Sequence, residues 1–156
     1  AMDHLTNKMV VEDTGCILAW LDARAKVKAG GVGCVGHCMS GRYITTVSAE
    51  FPTRIKAAGS LYGVGIITEE EDSPHLLLDK VQGELYYGFA EFDQHVPNHI
   101  IPALSSALQK SNVKHTVEVF DGTQHGFCFS EREGYAPVAS ESAWARLFEM
   151  WERQLK

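Results

Sequence analysis

Three residues of this chain could carry out acyl transfer together: Cys38, Asp93 and His125. A thiolate attacks a carbonyl carbon readily, an imidazole takes and later returns the proton, and a carboxylate fixes the imidazole tautomer. The three lie far apart in sequence, so only the fold can bring them together. Each follows a stretch that reads as a β-strand: Cys38 after 31–36, Asp93 after 83–90 and His125 after 114–120. Ligand sites of open α/β sheets lie just beyond the carboxyl ends of the strands, where these residues fall.

The stretch around Cys38 carries the most detail. Gly31 to Gly36 is a short apolar strand that runs through Gly36-His37-Cys38-Met39-Ser40-Gly41 directly into a helix-compatible run ending near Glu50. Such a strand–turn–helix puts its central residue at positive φ and needs small neighbours, which Gly36, Ser40 and Gly41 supply. It would expose the Cys38 sulfur and aim the Met39 backbone N–H at an oxyanion. The G-x-S-x-G pattern is departed from twice, with Cys at the nucleophile position and Ser40 at the final one. Taken alone, the same residues also fit a phosphate-binding loop or plain punctuation.

The other candidates have competing readings. Glu91 competes with Asp93 for the acid position. His95 and His99 are spaced like a metal pair but lack further ligands, and they read as surface histidines. His37 either touches substrate or fills the elbow, and Arg132 either holds an anionic substrate group or is a surface residue. Cys34 reads as core, Cys16 and Cys128 as structural, and Trp20, Trp144 and Trp151 as core packing.

The elements that must position these residues follow from periodicity. Residues 4–29 read as an amphipathic helix with a possible break near Asp13-Thr14-Gly15, Thr14 capping the second part. A second strand spans 55–62, and an acidic, loop-like stretch over 63–82 holds one short helix near Leu76–Lys80. A helix is expected over 97–110, with Pro97 in its first turn and Ile101, Leu104 and Leu108 inward. The last helix begins at Pro137 and carries Trp144, Leu147, Phe148, Trp151 and Leu155 on one stripe. Alternating strands and helices imply a mostly parallel sheet of about four strands flanked by helices.

Composition narrows the function classes. The chain of 156 residues carries a net charge of −6 and has no basic run, which argues against a nucleic-acid partner. No apolar run reaches membrane-spanning length, and the start lacks a secretory pattern, so a cytoplasmic protein is expected. The four cysteines form no Cys-x-x-Cys pair and read as reduced thiols. One domain covering 1–156 is expected from length.

Together these motifs resemble the dienelactone hydrolase (carboxymethylenebutenolidase) family of α/β-hydrolases. The Gly36-His-Cys-Met-Ser-Gly41 elbow is similar to that family's Gly-Tyr-Cys-hydrophobic-Gly-Gly, and Tyr87-Gly88 with Asp93 and Pro97 to its Tyr-Gly, Asp and Pro segment. His125-Gly126-Phe127 is similar to its His-Gly-Phe, and Arg132 and Tyr135 fall where many members carry Arg and Tyr. Nucleophile, acid, histidine is also the expected chain order.

The resemblance implies hydrolysis of an ester or dienelactone-type lactone through a Cys38 thioester. It implies no metal or organic cofactor, Met39 as the oxyanion donor, and Arg132, Tyr135 and His37 as candidate substrate contacts. The family is longer and begins with several strands, so a truncated α/β-hydrolase-like fold is expected, covering its C-terminal two-thirds. That leaves strand 31–36 as an open edge, favouring a homo-oligomer through it. Loss of a second oxyanion donor would raise the barrier by about 3 kcal/mol. The alternative function is a non-catalytic relict fold that self-associates or binds ligand.

Overall fold

The computed structural model describes residues 4–156. Four parallel strands, β1 (Val32–His37), β2 (Ile55–Leu61), β3 (Glu84–Phe92) and β4 (His115–Gln124), pair in chain order. Helix α1 (Asn7–Asp22) precedes the sheet, α2 (Ser40–Glu50) joins β1 to β2, and a 3-10 helix (Pro74–Lys80) joins β2 to β3. Helix α3 (Ile100–Ser111) joins β3 to β4, and α4 (Pro137–Gln154) closes the chain.

Side chains alternate across the central strands, so each sheet face builds its own core. Tyr87 and Phe89 of β3 point to one face, where Ile44 of α2, Leu78 of the 3-10 helix and Leu104 and Leu108 of α3 cover them. Tyr86 and Ala90 point to the other, under Ala143, Leu147 and Met150 of α4. The connections between strands thus stack on one face and α4 folds back over the other. Burial on both faces is why β2 and β3 read as continuous apolar runs rather than alternating ones. Gly59 of β2 is where α4 comes closest: a Cβ there would sit 2.1 Å from Leu147 Cδ2.

Several elements differ from the sequence expectation. Helix α1 is continuous through Asp13-Thr14-Gly15 and ends at Asp22. Thr6 caps it by accepting from the Met9 N–H, while the Thr14 hydroxyl donates to the Val10 carbonyl within the helix. Gly15 is tolerated because it faces the Phe51 ring, 3.5 Å from where a Cβ would lie. Its buried apolar contact is Leu18, whereas Met9, Ile17 and Trp20 are exposed, and Trp20 carries Arg24 stacked 4.1 Å above it. Trp20 is therefore not core, and Cys16 is exposed rather than structural.

Helix α3 begins at Ile100, leaving Pro97 outside. Pro102 forces that start, because a residue without an N–H and with a ring against the preceding turn fits only a first turn. On α4, Leu147 is fully buried but Phe148 is 56% exposed. Strand β1 lies at the sheet edge and pairs only with β2 among the described residues.

Candidate active site

The elbow forms where the glycines require it. Cys38 has φ 52°, in the left-handed region that side chains rarely adopt. A Cβ on Gly36 would lie 2.3 Å from the Ser40 carbonyl oxygen, and one on Gly41 would lie 2.5 Å from Gly63 Cα. The strain is held by backbone bonds: the Cys38 N–H donates to Leu61 O (3.1 Å), and its carbonyl accepts from Gly41 N (3.0 Å) and Val64 N (3.1 Å). Ser40, the departure from the motif, clamps the turn: its hydroxyl accepts from the His37 N–H and donates to the His37 carbonyl, both at 2.8 Å. The Met39 N–H, at the start of α2, makes no hydrogen bond to another described residue.

Beyond β3 and β4, Asp93 Oδ2 lies 2.7 Å from His125 Nδ1. The Asp93 side chain is 3% exposed and that of His125 12%. The second carboxylate oxygen of Asp93 accepts the His95 backbone N–H at 2.9 Å. Glu91 is occupied elsewhere, accepting the Gly122 N–H at 2.6 Å, so the residue that meets the histidine is Asp93. His125 Nε2 is buried with no hydrogen-bond partner, and the Cys38 thiol is not within bonding distance of it.

Two cavities flank this arrangement. One, of ≈ 460 Å³, is lined by Asp93, His125, Gln124, Phe92, His95 and Arg132. The other, also ≈ 460 Å³, is lined by Cys38, Met39, Arg42, Tyr43, Val64 and His95, together with Leu5. His95 borders both, its ring edge-on to that of His125 at 4.8 Å.

Of the remaining candidates, Arg132 borders the His125 cavity, while Tyr135 borders neither. His37 turns away from both and packs among Tyr62, Phe129 and Trp144, and burial there lowers its pKa. Burial pushes the Cys34 thiol up to about 12 and the Cys128 thiol up to about 11. Neither is a thiolate near neutrality. No group of three or more His, Cys, Asp or Glu arranged to hold a metal occurs among the described residues.

Sequence reading passed over Tyr62 and Arg42 at this site, and it took His95 for a surface histidine; His95 is exposed but lies beside His125. Tyr62, at φ 39°, packs edge-on to His125 at 5.1 Å, with its buried hydroxyl against the Cys128 thiol and without a nitrogen or oxygen partner. It stands immediately after β2, the position that the strand-end rule singles out. Arg42 follows the elbow by one turn and shares the nucleophile's cavity.

Residues 1–155 match the family model described as "Dienelactone hydrolase family". The chain is 30% identical over 157 aligned residues to a candidate carboxymethylenebutenolidase of Synechocystis sp., covering 99% of this chain and 63% of the relative. It is 24% identical to a candidate 2-oxo-3-(5-oxofuran-2-ylidene)propanoate lactonase of Bradyrhizobium sp., covering 92% and 59%. Among solved structures, it superposes with a TM-score of 0.87 on a candidate dienelactone hydrolase from Klebsiella pneumoniae, at 20% identity and 97% and 63% coverage. A dienelactone hydrolase-like promiscuous phosphotriesterase from metagenomic libraries gives 0.72 at 17% identity, with 88% and 59% coverage. The chain thus spans about three-fifths of the length of these relatives.

Proposed function

Because the chain belongs to the dienelactone hydrolase family, we propose that it hydrolyses a carboxylic ester or lactone, with Cys38 as nucleophile, His125 as base and acid, and Asp93 as the group that orients His125. The observation that carries this reading is the 2.7 Å Asp93–His125 bond at the same end of the sheet as the positive-φ elbow cysteine. Asp93 accepts the Nδ1 proton, so Nε2 is left with its lone pair and without a protein partner.

In the proposed reaction His125 Nε2 takes the Cys38 thiol proton, the resulting thiolate adds to the carbonyl carbon, and the Met39 N–H donates to the oxyanion formed. The tetrahedral adduct collapses as the C–O bond breaks, and protonated His125 supplies the proton to the departing oxygen. This leaves a thioester on Cys38. A water molecule, deprotonated by His125, then attacks the thioester and releases the acid and the thiol. For a lactone the departing oxygen stays on the acyl chain through both steps, so the second step releases a single ring-opened acid. Ester or lactone hydrolysis changes no oxidation state; where the departing oxygen is an enol, the released enol isomerises to the ketone. Dienelactone is the substrate that the family resemblance suggests.

The test is turnover of a small activated ester and of dienelactone by the parent chain, with Cys38→Ala and His125→Ala in parallel. Turnover abolished by both substitutions supports the reading. Turnover that survives either of them contradicts it.

A further inference from the structure

The sheet has two edges, and the sequence treats them differently. Strand β4, outermost on one side, carries Glu118 and Asp121 along its length. Charges on an edge strand discourage pairing with another chain. Strand β1, outermost on the other side, reads Val32-Gly-Cys-Val-Gly-His37 and has neither a charged residue nor a proline. Among the described residues it pairs only with β2, which leaves its outward N–H and C=O groups without ladder partners.

Apolar side chains gather on both sides of this unguarded edge. On one face α4 crosses β1 so closely that a Cβ on Gly33 would meet the Trp151 ring at 2.8 Å. Trp151 continues into an aromatic stripe with Trp144 and Phe148, and Phe148 is exposed. On the face that α2 covers, helix α1 packs on α2 and shows Met9, Ile17 and Trp20 to solvent. Val27, in the segment leading into β1, is exposed as well. Five of the ten exposed large hydrophobic side chains among the described residues thus lie on the elements around one strand, so this apolar surface is concentrated rather than scattered.

Charge selects the partner. Glu12 and Asp13 lie in the first half of α1, whereas Arg24, Lys26 and Lys28 follow its end. We propose that a second copy of this chain docks on the β1 edge, joining two four-stranded sheets into one continuous sheet. A two-fold axis normal to the sheet makes the two β1 strands antiparallel, so each gives the other its missing ladder partners. The same operation sets α1 beside α1 and aromatic stripe beside aromatic stripe, with the basic end of each copy against the acidic part of the other. A partner running in the same direction would instead set like charges together. The contact is closed, because each copy uses its unguarded edge and leaves the charged β4 edge outside.

The experiment is size exclusion with light scattering on the full chain over a wide range of concentration. Reducing buffer keeps the exposed Cys16 from forming a disulfide between copies. The parent is expected at twice the chain mass. Trp20→Glu and Phe148→Glu each put a charge at an exposed position on opposite faces, and each is expected to raise the dimer dissociation constant about tenfold or more with far-UV circular dichroism unchanged. Lys26→Glu with Lys28→Glu is expected to weaken the dimer too, and adding Glu12→Lys and Asp13→Lys to restore it. Hydrogen exchange of the β1 peptide is expected to be faster in the weakened variants than in the parent. A parent that stays at the chain mass at every concentration, or that grows beyond two copies, overturns the proposal. So does a dimer that survives both Trp20→Glu and Phe148→Glu, one whose β1 exchanges equally in parent and variants, or a charge reversal that fails to restore association.

Discussion

Asp93 holds two partners at once: Oδ2 meets His125 Nδ1 at 2.7 Å, and Oδ1 accepts the backbone N–H of His95 at 2.9 Å. One carboxylate therefore orients the candidate base and fixes the turn that lays the His95 ring against it. Replacing it changes proton placement more than packing. Asp93→Asn keeps the shape but presents an amide that favours the wrong imidazole tautomer. Its kcat/KM on an activated ester is expected to fall by about 10³–10⁴, with the thermal midpoint shifted by only a few degrees in the same samples.

The elbow leaves no room at Gly36. Gly36→Ala puts a methyl against the Ser40 carbonyl, a backbone atom that cannot swing aside. It is expected to cost about 1–3 kcal/mol in urea unfolding, in the range of overpacking, and to lower turnover by displacing the Met39 N–H. Wild-type stability in that variant would show that the turn is looser than the geometry indicates.

The four thiols should separate by environment. Burial holds Cys34 near 12 and Cys128 near 11, so their thiolates are scarce at pH 7 and increase only in strong base. Brief iodoacetamide treatment at pH 7 is expected to label Cys38 and the exposed Cys16 and to spare the other two, as read by peptide mapping.

Glu84, at the start of β3, ties the sheet to the end of α4. Its carboxylate accepts from Arg153 (2.6 Å) and Gln154 (2.7 Å) and pairs with Lys114 (2.9 Å). Burial alone would push its pKa up, but donation from Arg153, Lys114 and Gln154 outweighs this and holds it below the usual carboxylate value. A folded-state pKa below the unfolded one means that this stabilisation is fully present above the unfolded value, about 4.3. It is lost as pH falls through the folded one. Glu84→Gln is expected to cost on the order of 1–3 kcal/mol at pH 7 and to flatten the stability loss below pH ~4, measured by urea titration across pH.

Much of this was legible from strand ends. The turn residues around Cys38, and Asp93 and His125 in their places after β3 and β4, follow from local chemistry and the topology of a parallel sheet. What periodicity misread was decided by tertiary contacts. Gly15 stays helical because Phe51 packs over it, Trp20 faces outward under Arg24, and His37 is drawn into an aromatic cluster. Arg42 was illegible for another reason: one arginine in a helix does not say that it will border the same cavity as Cys38.

The most direct test of the central claim is to trap the acyl intermediate. The chain is mixed with an activated acetate ester, quenched in acid within the first turnovers, digested and mapped by mass spectrometry. An acetyl group on the peptide containing Cys38, which forms and decays in the parent, persists in a variant impaired in deacylation and is absent from Cys38→Ala, is the expected result. An adduct on another residue, or undiminished ester turnover in Cys38→Ala, would contradict the account.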